Sequence, residues 1–199
     1  MPPQGTTDDA PAPFQRAVDS LRGVTVRPEV HLEAIPAPRR LAPHATALSG
    51  TVTVGEDDAA ALGRLIVLYD PDGSRDWPGP FRVVAYAGAE LEAEIAADPL
   101  IGQVAWSWLV EALDAAGATH SSLSGTVTRA TTEGYGQKAD QPPSTEVELR
   151  ASWTPDSEDL SGHLAAWVAL LASVAGLPPV DVADLGRRRP VPGANGNGG

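Results

Sequence analysis

The segment STEVELRASW, residues 144–153, has the clearest side-chain pattern in the chain and decides the fold class. Four apolar residues alternate with four polar ones: Val147, Leu149, Ala151 and Trp153 against Glu146, Glu148, Arg150 and Ser152. Because successive side chains of a strand point to opposite faces of its sheet, this alternation predicts an antiparallel strand with one buried and one wet face. The preceding run HSSLSGTVTRATTE (120–133) predicts its hairpin partner, joined to it by the loop 134–143.

Three more strands are predicted upstream, over residues 45–54, 62–70 and 81–87. The middle one is apolar on both of its faces, which is typical of a central strand. The turn signals Gly55–Asp58 and PDGS (71–74) separate the three segments. They are therefore expected to form a meander.

Helices are predicted before, between and after these strands. The first covers residues 13–22, between Pro13 and the stop signal Gly23, and the second covers 100–117. The last helix follows TPDSED, and one face of it carries Leu160, Leu164, Trp167, Val168 and Leu171. The order α-β-β-β-α-β-β-α predicts an α+β fold, with an antiparallel sheet of about five strands and helices packed on one face.

One domain is predicted, over residues 11–180. Residues 1–10 and the basic segment 187–199 are predicted to be disordered tails, because they combine polar residues with many prolines and glycines.

The predicted helix 100–117 has two apolar sides. One side carries Trp106, and the other carries Trp108. A helix with two apolar sides is buried on both, either by loops of its own chain or by a second subunit. Trp108 is therefore a candidate interface residue for a homodimer.

Composition excludes several function classes. The formal net charge of −12 and the pI of about 4.6 disfavour nucleic acids and anionic membranes as partners. There is no cysteine, which fits a reducing compartment. The longest apolar run, residues 164–177, is too short to span a bilayer, and no secretory signal opens the chain. These features predict a cytoplasmic protein without a membrane partner.

No catalytic or metal-binding motif is present in the sequence. The four histidines are His31, His44, His120 and His163, and none belongs to an HExxH motif or a helical pair. The GYGQKA run (134–139) imitates the start of a dinucleotide fingerprint, but it lies in the predicted hairpin loop rather than between a strand and a helix. We predict no catalytic residue, no metal and no cofactor, so an enzymatic function is disfavoured.

The segment RPEVHLEAIPAPRRLAPHA, residues 27–45, is here called the strap. Its prolines block helix and stiffen an extended chain, and it concentrates arginines in an acidic protein. Two interpretations stay open: the arginines pair with carboxylates of their own protein, or they hold an anionic ligand or a partner. The candidate binding residues are Arg39, Arg40, His44, His31, Glu33 and the turn residue Trp77.

Several of these segments together resemble a known family. FQRAVDSLR, the strap, WSWLVEALDAAGA, GTVTR and TEVELRASWTP, taken in order, resemble the uncharacterised actinobacterial family Domain of Unknown Function 3000. The resemblance runs from about Phe14 to Pro179. It implies an actinobacterial, cytoplasmic source, in agreement with the presence of 13 arginines and one lysine. It implies no activity, cofactor or site residue.

The function hypothesis that follows is a non-catalytic binding or adaptor protein with a protein partner, and it includes a homodimer. The alternative is a small-molecule binder or enzyme that acts on an anionic ligand at Arg39, Arg40 and His44. Nucleic-acid binding is disfavoured by the acidic charge.

Overall fold

A computed structural model describes residues 10–55 and 59–179 of the chain. The strands are β1 (Val30–Ile35), β2 (His44–Thr53), β3 (Ala59–Tyr69), β4 (Phe81–Leu91), β5 (His120–Thr132) and β6 (Ser144–Pro155). The helices are α1 (Ala12–Arg22), the short α2 (Ala93–Ala96), α3 (Ile101–Ala115) and α4 (Ser161–Val174). The predicted tails, 1–10 and 187–199, lie outside the described residues except for Ala10. No helix in the described ranges is long and apolar enough to cross a membrane.

The six strands form one sheet in the order β1-β2-β3-β4-β6-β5, and all neighbours are antiparallel. The α+β class, the meander and the β5–β6 hairpin are thereby confirmed. The sheet has one strand more than the five that the sequence predicted, and the additional strand is β1. It lies inside the strap, where the prolines on both sides hid a six-residue strand that pairs with β2 from Val30 to Ile35.

Helices cover one face of the sheet, as predicted. Two glycines make room for α4: a Cβ atom on Gly63 would lie 2.5 Å from Leu171 and 2.9 Å from Trp167, and Gly50 is similarly crowded. A third glycine, Gly125 of β5, lies under Trp106 of α3. The alternating residues of β6 predicted to be buried, including Trp153, are at most 4% exposed. We call this side the covered face.

The core of the covered face contains one buried polar pair. Trp153 Nε1 donates a hydrogen bond of 3.0 Å to His163 Nδ1, and both side chains are fully buried. Burial, with a smaller contribution from the neighbouring His120, lowers the pKa of His163 to about 4. His163 is therefore a neutral core residue, because its Nδ1 must stay unprotonated to accept the bond.

The other side of the sheet, here called the open face, has no helix against it within the described residues. One end of it is nevertheless closed, since Leu68 and Ala47 point to this face and are only 3% and 2% exposed. The connection between β3 and β4, residues 70–80, lies at that end. Thr154 Oγ1 donates a 3.0 Å hydrogen bond to the Pro78 carbonyl and holds the connection against the sheet.

Candidate functional site

The strap is the first candidate, and the structure divides its arginines into two groups. Arg27 donates to the Glu29 carboxylate at 3.0 Å and to the Pro178 carbonyl at 3.0 Å, and the hydrogen bond from Arg27 lowers the pKa of Glu29. Arg39 and Arg40 lie in the connection between β1 and β2, and both are exposed. Neither makes an ion pair or a hydrogen bond with another described residue. Among the described residues, Arg27 is therefore the only strap arginine that pairs with an acid of its own protein.

The tip of the strap, which we define as Arg39–Leu41, combines this free charge with apolar surface. The Leu41 side chain is 55% exposed, directly after the two arginines. Prolines on either side, at 38 and 43, restrict the backbone of the tip. Little conformational entropy is then lost when the tip binds, so two guanidinium groups and a leucine are held ready for an external surface.

His44 faces away from such a site. It is half-buried at the start of β2, on the covered face, where its ring centroid lies 5.7 Å from that of Phe14 and 6.1 Å from that of Tyr69. The ring is thus part of an aromatic cluster that joins α1 to the sheet. This packing explains why His44, a polar residue of the strap, is half-buried.

His31 and Glu33 lie on the open face of β1. Leu32, between them, packs toward the residues that surround Gly50 on the covered face, so its two neighbours point the other way. Both are exposed at the edge of the sheet. The structure therefore separates His31 and Glu33 from His44 by the thickness of the sheet, and it does not gather the predicted residues into one site.

The two tryptophan candidates are both half-buried. Trp77 lies in the 70–80 connection, and its indole nitrogen is buried without a hydrogen-bond acceptor among the described residues. Trp108 of α3 packs partly against the core, as does Trp106 on the other side of the helix. Trp77 is therefore more enclosed than an exposed anchor, and Trp108 keeps part of its surface free.

A polar cluster on the open face was missed by the sequence reasoning. Arg150 pairs with Glu148 at 2.7 Å and lies 5.7 Å from the centroid of the Tyr86 ring. The Tyr86 hydroxyl donates to Glu148 at 3.4 Å. Burial raises the pKa of Tyr86, and the negative charge of Glu148 raises it further. The alternation within β6 places Glu148 and Arg150 on this face, but only the register with β4 brings Tyr86 to them.

Arg82 is a further residue of the open face that sequence reasoning missed. From β4 it donates to Ser152 Oγ at 2.7 Å and to the Ser122 carbonyl at 3.0 Å. Burial lowers the pKa of Arg82. Ser122 has a left-handed backbone with φ of 52° and sits in the bulge between Ser121 and Ser124. Arg82 therefore fixes the start of β5, which is a structural role.

Two cavities lie at opposite ends of the sheet. One, of about 330 Å³, is lined by Tyr69, Phe81, four prolines and the 156–158 turn. The other, of about 270 Å³, lies beside Tyr86 and is lined by alanines and by Glu90, Glu146 and Glu148. None of the predicted binding residues lines either cavity. The described part of the chain also holds no group of three metal-ligating side chains.

The sequence matches the model of a protein family. Residues 10–183 match a family model described as "Protein of unknown function (DUF3000)". No curated protein and no solved structure matches the chain.

Proposed function

The chain belongs to DUF3000, a family of unknown function, and we propose that it is a non-catalytic binding protein whose strap tip engages an acidic surface on a partner protein. One observation carries this function: Arg39 and Arg40 are exposed and form no ion pair with any acidic residue that the structure describes. Guanidinium groups bind carboxylates in a bidentate manner, and arginine is enriched at the energetic centres of protein interfaces.

The exposed Leu41 favours a protein partner over a free anion. A leucine that is 55% exposed beside two arginines provides apolar area that a small anion leaves uncovered. The negative charge of the protein repels free anions and acidic surfaces alike at long range, but only a partner protein adds apolar contacts with Leu41.

The alternative, an anionic small-molecule site, has less support. It requires His44 beside Arg39 and Arg40, yet the His44 ring packs with Phe14 and Tyr69 on the covered face. Neither described cavity is lined by these residues. The same proposal includes a cytoplasmic location, which the absence of cysteine supports. It also includes an actinobacterial source, which the excess of arginine over lysine supports.

A capture experiment with two charge-matched variants tests the function. Tagged wild-type protein and the Arg39→Ala/Arg40→Ala variant are incubated with lysate of the native host, and bound proteins are quantified by mass spectrometry. We expect the double variant to capture a defined set of host proteins in amounts at least tenfold smaller than wild type captures. Thermal stability should be nearly unchanged, because exposed surface residues contribute little to it.

The control variant is Arg64→Ala/Lys138→Ala, which removes two exposed cations outside the strap. It should keep the captured set. Equal capture by all three proteins contradicts the proposed function, and a large loss of thermal stability in Arg39→Ala/Arg40→Ala shows that the tip is structural instead.

A further inference from the structure

We propose that the free edge of β5 pairs with β5 of a second copy of this chain, antiparallel about a twofold axis at Thr128, to form a continuous twelve-stranded sheet. This inference concerns the edge of the sheet opposite to the strap, so it stands or falls independently of the proposed function.

The first support is the length of the open edge. β5 ends the sheet and pairs only with β6 among the described strands. After the bulge that ends at Ser124, its pairing with β6 is regular to Thr132, a straight segment of about 30 Å. Its outer N–H and C=O groups pair with no other strand that the structure describes, and such an edge is a template for adding another strand.

The second support is that the straight part of this edge has little protection. Natural sheets protect their edges with short strands, prolines, charged side chains and bulges. β1 has this protection: it has six residues, prolines at 28 and 36, and the polar pair His31 and Glu33. The straight part of β5 contains no proline and one charged residue, Arg129. Among the described residues, the β1 edge is therefore better protected than the longer straight part of β5.

The third support is self-complementarity. Pairing about Thr128 uses the whole straight segment and places Ser124 opposite Thr132 of the second copy. The sole charged side chain, Arg129, then faces Val127 of the second copy, so no like charges meet. Residues of equal parity are opposite each other in this register, so the helices of both copies cover the same face. The remaining pairs are small or threonine-containing, which suits a sheet.

The fourth support is apolar surface beside the edge. The Arg129 guanidinium donates to the carbonyls of Ala96 and Asp98 at 3.4 and 3.3 Å, so the segment around α2 lies next to β5 on the covered face. In that segment Ile95 is 40% exposed and Leu100 is 53% exposed. A second copy covers these side chains while its strand completes the ladder, which combines apolar burial with backbone pairing as stable interfaces do.

Charge variants on the exposed side of β5 test the pairing. Thr126, Thr128 and Ala130 are exposed and point to the open face. About the proposed axis, Thr126 meets Ala130 of the second copy, and Thr128 meets itself. Replacing all three by lysine, or all three by glutamate, therefore creates three rows of like charge across the interface. Each set should raise the dissociation constant of the dimer on the order of tenfold to a hundredfold.

The measurement is sedimentation equilibrium over a dilution series. Wild-type protein should approach twice the monomer mass of 20.6 kDa at micromolar concentration, while each triple variant stays near the monomer mass. An equimolar mixture of the lysine and glutamate variants should recover the dimer, because opposite charges then meet in every row. This recovery also shows that both variants are folded.

Three outcomes overturn the inference. The first is a wild-type protein that is monomeric across the series. This outcome overturns the inference also when the monomer binds an extended peptide of another protein at the β5 edge. The second is a wild-type dimer that neither triple variant weakens, which places its interface elsewhere. The third is a mixture that stays monomeric although both variants melt like wild type, which excludes antiparallel pairing with a second copy.

Discussion

The covered and open faces of the sheet are built from the same strands, yet different forces shape them. On the covered face Trp167 and Leu171 pack into spaces that exist only because residues 50 and 63 are glycines. On the open face Arg150, Glu148 and Tyr86 interact at the boundary with water. The comparison indicates that steric fit specifies the covered face, so substitutions there should strongly lower the free energy of unfolding. The open face is defined by charged and polar side chains, and substitutions there should have small effects.

The largest effect should come from filling a glycine space on the covered face. Gly63→Val should lower the free energy of unfolding by about 4 kcal/mol, because the new Cβ meets Leu171, Trp167 and the unyielding Tyr86 carbonyl within 3 Å. Urea denaturation followed by circular dichroism measures the change.

The matched control is Gly102→Ala in α3, where a Cβ meets nothing within 4 Å. It should stabilise the protein by about 0.5 kcal/mol, because alanine favours helix. If Gly63→Val were as stable as wild type, the packing of α4 against β3 described above would be wrong.

The next largest effect should be the loss of folding stability at acid pH, caused by the buried pair of Trp153 and His163 on the covered face. The folded pKa of His163 is about 4, below the ordinary 6.5, so the unfolded state binds the proton first. Stability is then full above pH 6.5 and falls as the pH drops toward 4, by about 3 kcal/mol in total. Protonation also removes the acceptor of the Trp153 bond.

The comparison is between wild type and His163→Gln in urea denaturation at a series of pH values. Glutamine keeps an acceptor for Trp153 but does not titrate in this range, so the difference between the two proteins should shrink from pH 6.5 to 4. Carboxylates far from residue 163 contribute equally to both proteins. Parallel pH curves would argue against a neutral His163.

The smallest effect should come from the open face. Glu148→Gln removes the partly exposed ion pair with Arg150 and should cost less than about 0.5 kcal/mol. The same change should lower the pKa of Tyr86 toward its ordinary value, because the charge of Glu148 no longer opposes ionisation of the phenol. An NMR titration of the tyrosine rings measures this shift. A large loss of stability, or an unmoved Tyr86, would show that the cluster is not built as described.

Much of the fold could be predicted because its signals are local. The alternation in residues 144–153 identified the buried side of β6, and the apolar face of the last helix identified Leu164, Trp167 and Leu171, which are buried. β1 was missed because VHLEAI is short and lies between prolines, and its strand structure depends on pairing with β2. The structure of this segment is therefore determined by pairing with β2 and not by its own sequence pattern.

The candidate site was less predictable, because it depends on register and on turns. His31 and His44 are close in sequence, yet β1 and β2 place them on opposite faces. Arg27 and Arg39 are equally basic in the sequence, and only the fold brings Glu29 and the Pro178 carbonyl to one of them. The cluster of Tyr86, Glu148 and Arg150 spans two strands about 60 residues apart, so no local motif could identify it.

The position of β6 between β4 and β5 has a consequence for how the chain folds. The β1–β4 meander and the β5–β6 hairpin each form from neighbouring segments, whereas the β4–β6 ladder joins Val83 to Trp153. Bringing these two distant segments together costs chain entropy before the contacts between them form and offset that cost. We expect docking of the hairpin onto β4 to limit the folding rate, and until it occurs β4 presents a second open edge on which newly made chains can associate wrongly.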